Sequence, residues 1–83
     1  MIRELEKMCA DINFDENIAL KIIKQVDVNE EFETSDFGLR TTFLEESARN
    51  SNLKMATLLL NNGADPNKIF YDDFCTLWNL QYN

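Results

Sequence analysis

Residues 42–67 read TFLEESARNSNLKMATLLLNNGADPN, and the fold turns on this stretch. Thr42 followed three residues later by Glu45 fits a capping box, which opens a short helix running through Ala48 and Arg49. Asn50-Ser51-Asn52 turns the chain, and Leu53, Ala56, Leu59 and Leu60 then recur at helical spacing. Asn61-Asn62-Gly63 closes this second helix, expected over about 52–61, with a glycine able to take the left-handed conformation at a helix C-terminus. Two short helices joined by a tight turn must run antiparallel.

Working outward from this pair, Ile2, Leu5, Met8, Cys9 and Ile12 share one face of a helix over about 2–11, with Arg3, Glu4, Glu6 and Lys7 on the other. Asp15 is placed to cap a helix over about 16–25 that carries Ile18, Leu20, Ile22 and Ile23. Met1, Met8 and Met55 stand beside aliphatic residues and read as core. Residues 27–39 hold Asp27, Glu30, Glu31, Glu33 and Asp36, no basic residue, and Gly38; helical periodicity stops there, and a long acidic loop is expected. Beyond Asn67 a second loop runs from Lys68 to Phe74, and Cys75-Thr76-Leu77-Trp78-Asn79-Leu80 reads as the opening of another helix.

Composition narrows the function. At 83 residues the chain has room for one small domain, and 45% hydrophobic residues with two glycines and one proline argue for a packed core. There is no histidine, which removes the commonest general base and zinc ligand. Cys9 and Cys75 belong to no metal-ligand or redox motif and read as two buried free thiols. The neighbouring acids Asp72 and Asp73, or Glu30 and Glu31, lack the alternation of a calcium loop. A formal charge of -7 disfavours nucleic acid, whose phosphates need clustered Lys and Arg. No apolar run reaches the length of a membrane helix or a secretory signal. The expectation is a cytoplasmic, non-enzymatic protein without cofactor or metal, bound neither to nucleic acid nor to membrane.

An internal period links the halves. Asp27-Val28-Asn29 matches Asp65-Pro66-Asn67 at an offset of 38, and Thr42-Phe43-Leu44 matches Cys75-Thr76-Leu77 at 33. With Thr42-Phe43-Leu44-Glu45-Glu46-Ser47-Ala48, Asn52-Leu53 and Leu58-Leu59-Leu60-Asn61-Asn62-Gly63-Ala64-Asp65-Pro66-Asn67, the chain resembles the ankyrin-repeat family, whose pattern is T-P-L-H-x-A-A, G-H/N-L and L-L-L-x-x-G-A-D-x-N. The resemblance is close over 42–67, partial over 68–82 and weak over 14–29. It implies an all-α fold of short stacked antiparallel helix pairs, an ankyrin-like solenoid with connecting hairpin loops. Residues 1–29 would be a divergent N-terminal cap pair, 30–67 the best-matched repeat and 68–83 an incomplete last repeat. Phe43 departs from the family's proline, Glu45 and Trp78 stand where histidine is typical, and no Asp-Gly pair precedes Thr42 or Cys75.

Because ankyrin-like proteins bind through loop tips and inner helices, the resemblance nominates Glu30, Glu31, Glu33, Asp36 and Phe37 in the first loop and Lys68, Phe70, Tyr71, Asp72 and Asp73 in the second. On the inner helix it nominates Glu46 and Arg49, whereas Glu45 reads rather as the cap partner of Thr42. The charge runs also fit plain solvation, Phe70, Tyr71 and Phe74 also fit packing beneath a hairpin, and Trp78 fits a core or oligomer role. Residues 27–83 carry ten acids against four bases, so the expected partner is a protein with a basic surface. The function implied is a non-catalytic protein-protein interaction module. An immunity-type inhibitor covering a basic toxin or nuclease is the first alternative. A self-assembling repeat fragment, a homo-oligomer joined through the apolar C-terminal end at Leu77, Trp78, Leu80 and Tyr82, is the second.

Overall fold

The computed structural model describes residues 2–35 and 38–67. In chain order these form α1 (Ile2–Cys9), α2 (Glu16–Ile23), β1 (Phe32–Glu33), β2 (Arg40–Thr41), α3 (Phe43–Arg49) and α4 (Leu53–Asn61). The protein is thus mostly helical with one small antiparallel sheet, and the purely all-α expectation is corrected at the hairpin. The expected loop over Lys68–Phe74, the helix opening at Cys75 and the incomplete last repeat lie outside the described residues.

In α1, Leu5 and Cys9 are fully buried. The helix stops at Cys9 rather than 11, because the amides of Ala10 and Asp11 turn back to the carbonyls of Lys7 and Met8, both at 3.1 Å, which tightens the last turn. Ile12 consequently leaves the helical face and is 62% exposed, while Phe14 takes the core position at 5%. In α2 the carboxylate of Asp15 accepts the amides of Asn17 and Ile18, as the sequence suggests. Its core face is Ala19, Ile22 and Ile23, with Ile18 turned outward, and the helix ends at Ile23, two residues early, with Lys24 as its C-cap.

The stretch read as a long acidic loop contains a β-hairpin. Phe32 pairs with Thr41 and Glu33 with Arg40. Phe32 and Thr34 point inward and Glu33 outward, the period-two alternation of a half-buried strand. Thr34 closes the turn: its amide donates to the Leu39 carbonyl at 2.8 Å, and its Oγ1 accepts the Leu39 amide at 3.0 Å. Gly38 supplies a positive φ of 64°. Phe32 then stacks on Phe43 with ring centroids 4.7 Å apart, joining hairpin to α3. Phe43, the departure from the family pattern, is completely buried by this contact.

The stretch 42–67 folds as its spacing indicates. Thr42 Oγ1 accepts the Glu45 amide at 3.3 Å, and α3 packs on both α4 and α1. After α4, Gly63 takes φ 99°, and the amides of Gly63 and Ala64 return to the carbonyls of Leu60 and Leu59, a Schellman motif. Both aligned Asp-x-Asn segments form turns. Asp27 Oδ1 accepts the Asn29 amide at 3.0 Å, and Asp65 Oδ1 accepts the Asn67 amide at 2.9 Å. Asn29 also clasps the later turn, donating to the Gly63 carbonyl at 3.1 Å and accepting the Asp65 amide at 2.7 Å. The core is one cluster around Leu5, Phe43, Met55 and Leu59, joined by Ala19, Ile22 and Ile23 of α2 and Phe32 of the hairpin. Among the described residues no helix is long and apolar enough to cross a membrane.

Candidate functional site

A polar cleft of about 350 Å³ opens where α1, α3 and the hairpin meet. Glu6 and Lys7 reach it from α1, with Ala10 just beyond; Glu46 and Arg49 come from α3, with its C-cap Asn50; Ser35 comes from the hairpin turn. Each of these elements is placed by its own apolar face, so the polar residues are left at the junction.

Glu6 is only 6% exposed although its helix turns mostly charged residues outward there. Its Oε2 accepts the Ser35 amide at 2.9 Å and the Ser35 hydroxyl at 3.2 Å, and its Oε1 pairs with Arg3 Nη1 at 2.7 Å. Burial works to raise the carboxyl pKa, but the donors from Ser35 and Arg3 outweigh it and hold Glu6 below its ordinary value. Arg3 Nη1 also donates to the Glu33 carbonyl at 2.7 Å, so α1 is fastened to β1 as well as to the turn. On the α3 side Glu46, also largely buried, is held by Arg49 through Nε at 2.7 Å and through Nη2. Asn50 Nδ2 donates to the Glu46 carbonyl at 2.8 Å.

The two carboxylates and two cations lining the cleft balance in formal charge, Glu6 and Glu46 are already held by Ser35, Arg3 and Arg49, and much of the wall is apolar. Cys9 feels the charges of both glutamates but is no nucleophile. Burial pushes its thiol up to about 12, with Ser47 opposing and the charges of Glu46 and Glu6 adding to the rise.

The structure brings Glu46 and Arg49 together in this cleft. The acids of the hairpin do not join them in one patch. Glu30 is exposed in a second, shallower depression with Ile2, Arg3, Gln25, Val26 and Asp27. Glu31 is half-buried and pairs with Arg40 Nε at 2.8 Å. Glu33 is exposed on β1. Glu45 is 2% exposed and accepts the Thr41 hydroxyl at 3.2 Å, so the backbone half of the capping box forms while the carboxylate also serves the end of β2. Asp36, Phe37, Lys68, Phe70, Tyr71, Asp72 and Asp73 lie outside the described residues.

Sequence reasoning missed Glu6, Lys7, Ser35 and Asn50. Glu6 sits on what reads as the solvent face of an amphipathic helix, and only the hairpin folding against that face buries it. The single local signal is Arg3 three residues earlier, the spacing of a helical ion pair.

A scan against protein-family models and searches among curated proteins and solved structures return no match to this chain.

Proposed function

We propose that the chain is a non-catalytic protein-protein interaction module of ankyrin-like type. It would grip a partner between its hairpin and its two inner helices, α1 and α3. The observation that carries this reading is the convergence of α1, α3 and the hairpin turn on one open polar cleft containing Glu46 and Arg49. The twin Asp-x-Asn turns, with Asn29 clasping the second, support a stacked-repeat architecture beneath it. Exposed Glu30 and Glu33, outside the cleft, favour a partner with a basic surface, with charge steering its capture and the cleft supplying short-range contacts. Asp27 and Glu30 in one depression favour a narrower version, an inhibitor that covers the cationic substrate site of a basic enzyme.

Capture from a cell lysate on the immobilised full chain, with stepwise salt elution, tests the reading against a Glu30→Gln, Glu33→Gln double variant. Glu31 is left in place because it pairs with Arg40. A basic protein retained by the parent chain and lost from the variant is expected. Retention indifferent to the two substitutions, or none at all, overturns the proposal. If the captured protein is an enzyme, loss of its activity on binding selects inhibition over scaffolding.

A further inference from the structure

The way the hairpin is fastened singles out one of the chain's three serines. Ser47 is fully buried and donates to the Phe43 carbonyl at 2.9 Å. Ser51 is exposed, but within three positions of it stand Arg49 and Lys54 and no acid. Ser35 is exposed at the hairpin turn, follows Glu30, Glu31 and Glu33 and precedes Asp36. Both its hydroxyl and its amide donate to the buried carboxylate of Glu6. We propose that Ser35 is a phosphorylation site, at which a serine kinase with a basic substrate groove unfastens the hairpin turn from α1.

In that transfer Ser35 Oγ attacks the γ-phosphorus of ATP. The new O–P bond forms as the bond to the ADP oxygen breaks, and the hydroxyl proton passes to the kinase's base. The product carries about -1.5 to -2 charge where a donor had been. Glu6 then faces a phosphate in place of the hydroxyl 3.2 Å away, and like-charge repulsion replaces a hydrogen bond. The turn itself stays closed, because Thr34 holds Leu39 by two hydrogen bonds that do not involve Ser35. The effect on partner binding rests on the cleft reading above; the modification and the release of the turn do not.

The test treats the full chain with Mg-ATP and an acid-directed serine kinase, locates the phosphate by fragment mass spectrometry and follows amide hydrogen exchange by NMR. Phosphate is expected on Ser35 and not on Ser47 or Ser51. Exchange at the Ser35 amide should rise by about tenfold or more while Thr34 and Leu39 keep their protection. The proposal is overturned if Ser35 stays unmodified while an acidic reference peptide in the same reaction is fully phosphorylated. It is equally overturned if phosphate is on Ser35 but its amide exchanges as before. Neither readout involves a partner, so failure of lysate capture and failure of this proposal are separate results.

Discussion

Asn52 Nδ2 lies 3.1 Å from the carbonyl oxygen of Cys9, the last residue of α1. The same amide also reaches the carbonyls of Met8 at 3.1 Å and Asp11 at 3.2 Å, while Oδ1 accepts the Met55 amide at 3.1 Å. One side chain, 1% exposed, therefore donates to three carbonyls around the end of α1 and accepts an amide left over at the start of α4. This ties the two helix pairs together through the backbone, independently of the apolar core.

That double duty yields a result opposite to helix-capping preference. Asp is as good an N-cap as Asn, yet Asn52→Asp keeps only the Met55 bond and sets a buried carboxylate against three carbonyl oxygens. It is expected to cost about 2–4 kcal/mol, at least as much as Asn52→Ala, because an unpaired buried charge is worse than a lost hydrogen bond. Urea unfolding of the three proteins measures this; an Asn52→Asp variant as stable as the parent would show that the amide contacts contribute nothing.

Both helices of the second pair end in the same motif with different residues at the left-handed position. After α3, the amides of Ser51 and Asn52 return to the carbonyls of Ala48 and Ser47, and Ser51 sits at φ 55°. After α4 the position is held by Gly63 at φ 99°. Ser51→Gly should stabilise the chain by about 0.5–1 kcal/mol by relieving left-handed strain, net of the entropy glycine adds to the unfolded chain. Gly63→Ala should destabilise it by about 1–2 kcal/mol through backbone strain alone, since nothing lies within 4 Å of where the new Cβ would sit. Thermal unfolding of both variants, with midpoints moving in opposite directions, is the check.

The contrast between local and distant causes explains what the sequence conveys. Asp15, Thr42 and Gly63 act within four residues of themselves, and their roles are legible from spacing alone. Asn52 reads only as a turn residue, because its other partners lie more than 40 positions away. The hairpin is legible only through the family resemblance, which implies connecting hairpin loops; locally Phe32-Glu33-Thr34 does alternate, but its acid-rich setting outweighs two residues of strand. Once that hairpin folds, it covers Glu6 and completes the cleft, so the family resemblance could nominate Glu46 and Arg49 on the inner helix while nothing local pointed to Glu6 or Ser35.

Cys9 should be inert in the folded chain. Its Sγ donates to the Phe43 carbonyl at 3.6 Å, and burial pushes its pKa from 9.0 to about 12. At pH 8 a thiol reagent is expected to leave Cys9 unmodified in the native protein and to label it fully in denaturant, resolved from Cys75 by peptide mass spectrometry. Because the folded pKa is raised, the thiol's contribution is complete below about pH 9 and declines by about 1.4 kcal/mol per pH unit as pH rises towards 12. Cys9→Ala should lose that part of the alkaline slope.

Glu6 gives the opposite pH dependence. Burial alone would raise its pKa, and in an unpaired state the native protein would gain from protonating it. The bonds from Ser35 and Arg3 reverse the sign and place the folded pKa below the ordinary 4.5. The ionised form is then the one that folding favours. Its contribution is present above about pH 4.5 and is lost as pH falls through the lower folded value. Glu6→Gln retains the shape but weakens charge-assisted hydrogen bonds, so it should lower stability at pH 7 by about 1–3 kcal/mol. The stability curves of parent and variant should converge as pH falls below 4.5 through the lower folded value, because protonation deprives the parent of what the substitution has already removed. Hydrogen exchange at the Ser35 amide should rise over the same interval in the parent and be pH-independent in excess of intrinsic exchange in the variant. Curves that stay parallel throughout the acid limb would mean that the hairpin is held to α1 by Arg3 and the Glu33 carbonyl alone, with the buried carboxylate a spectator.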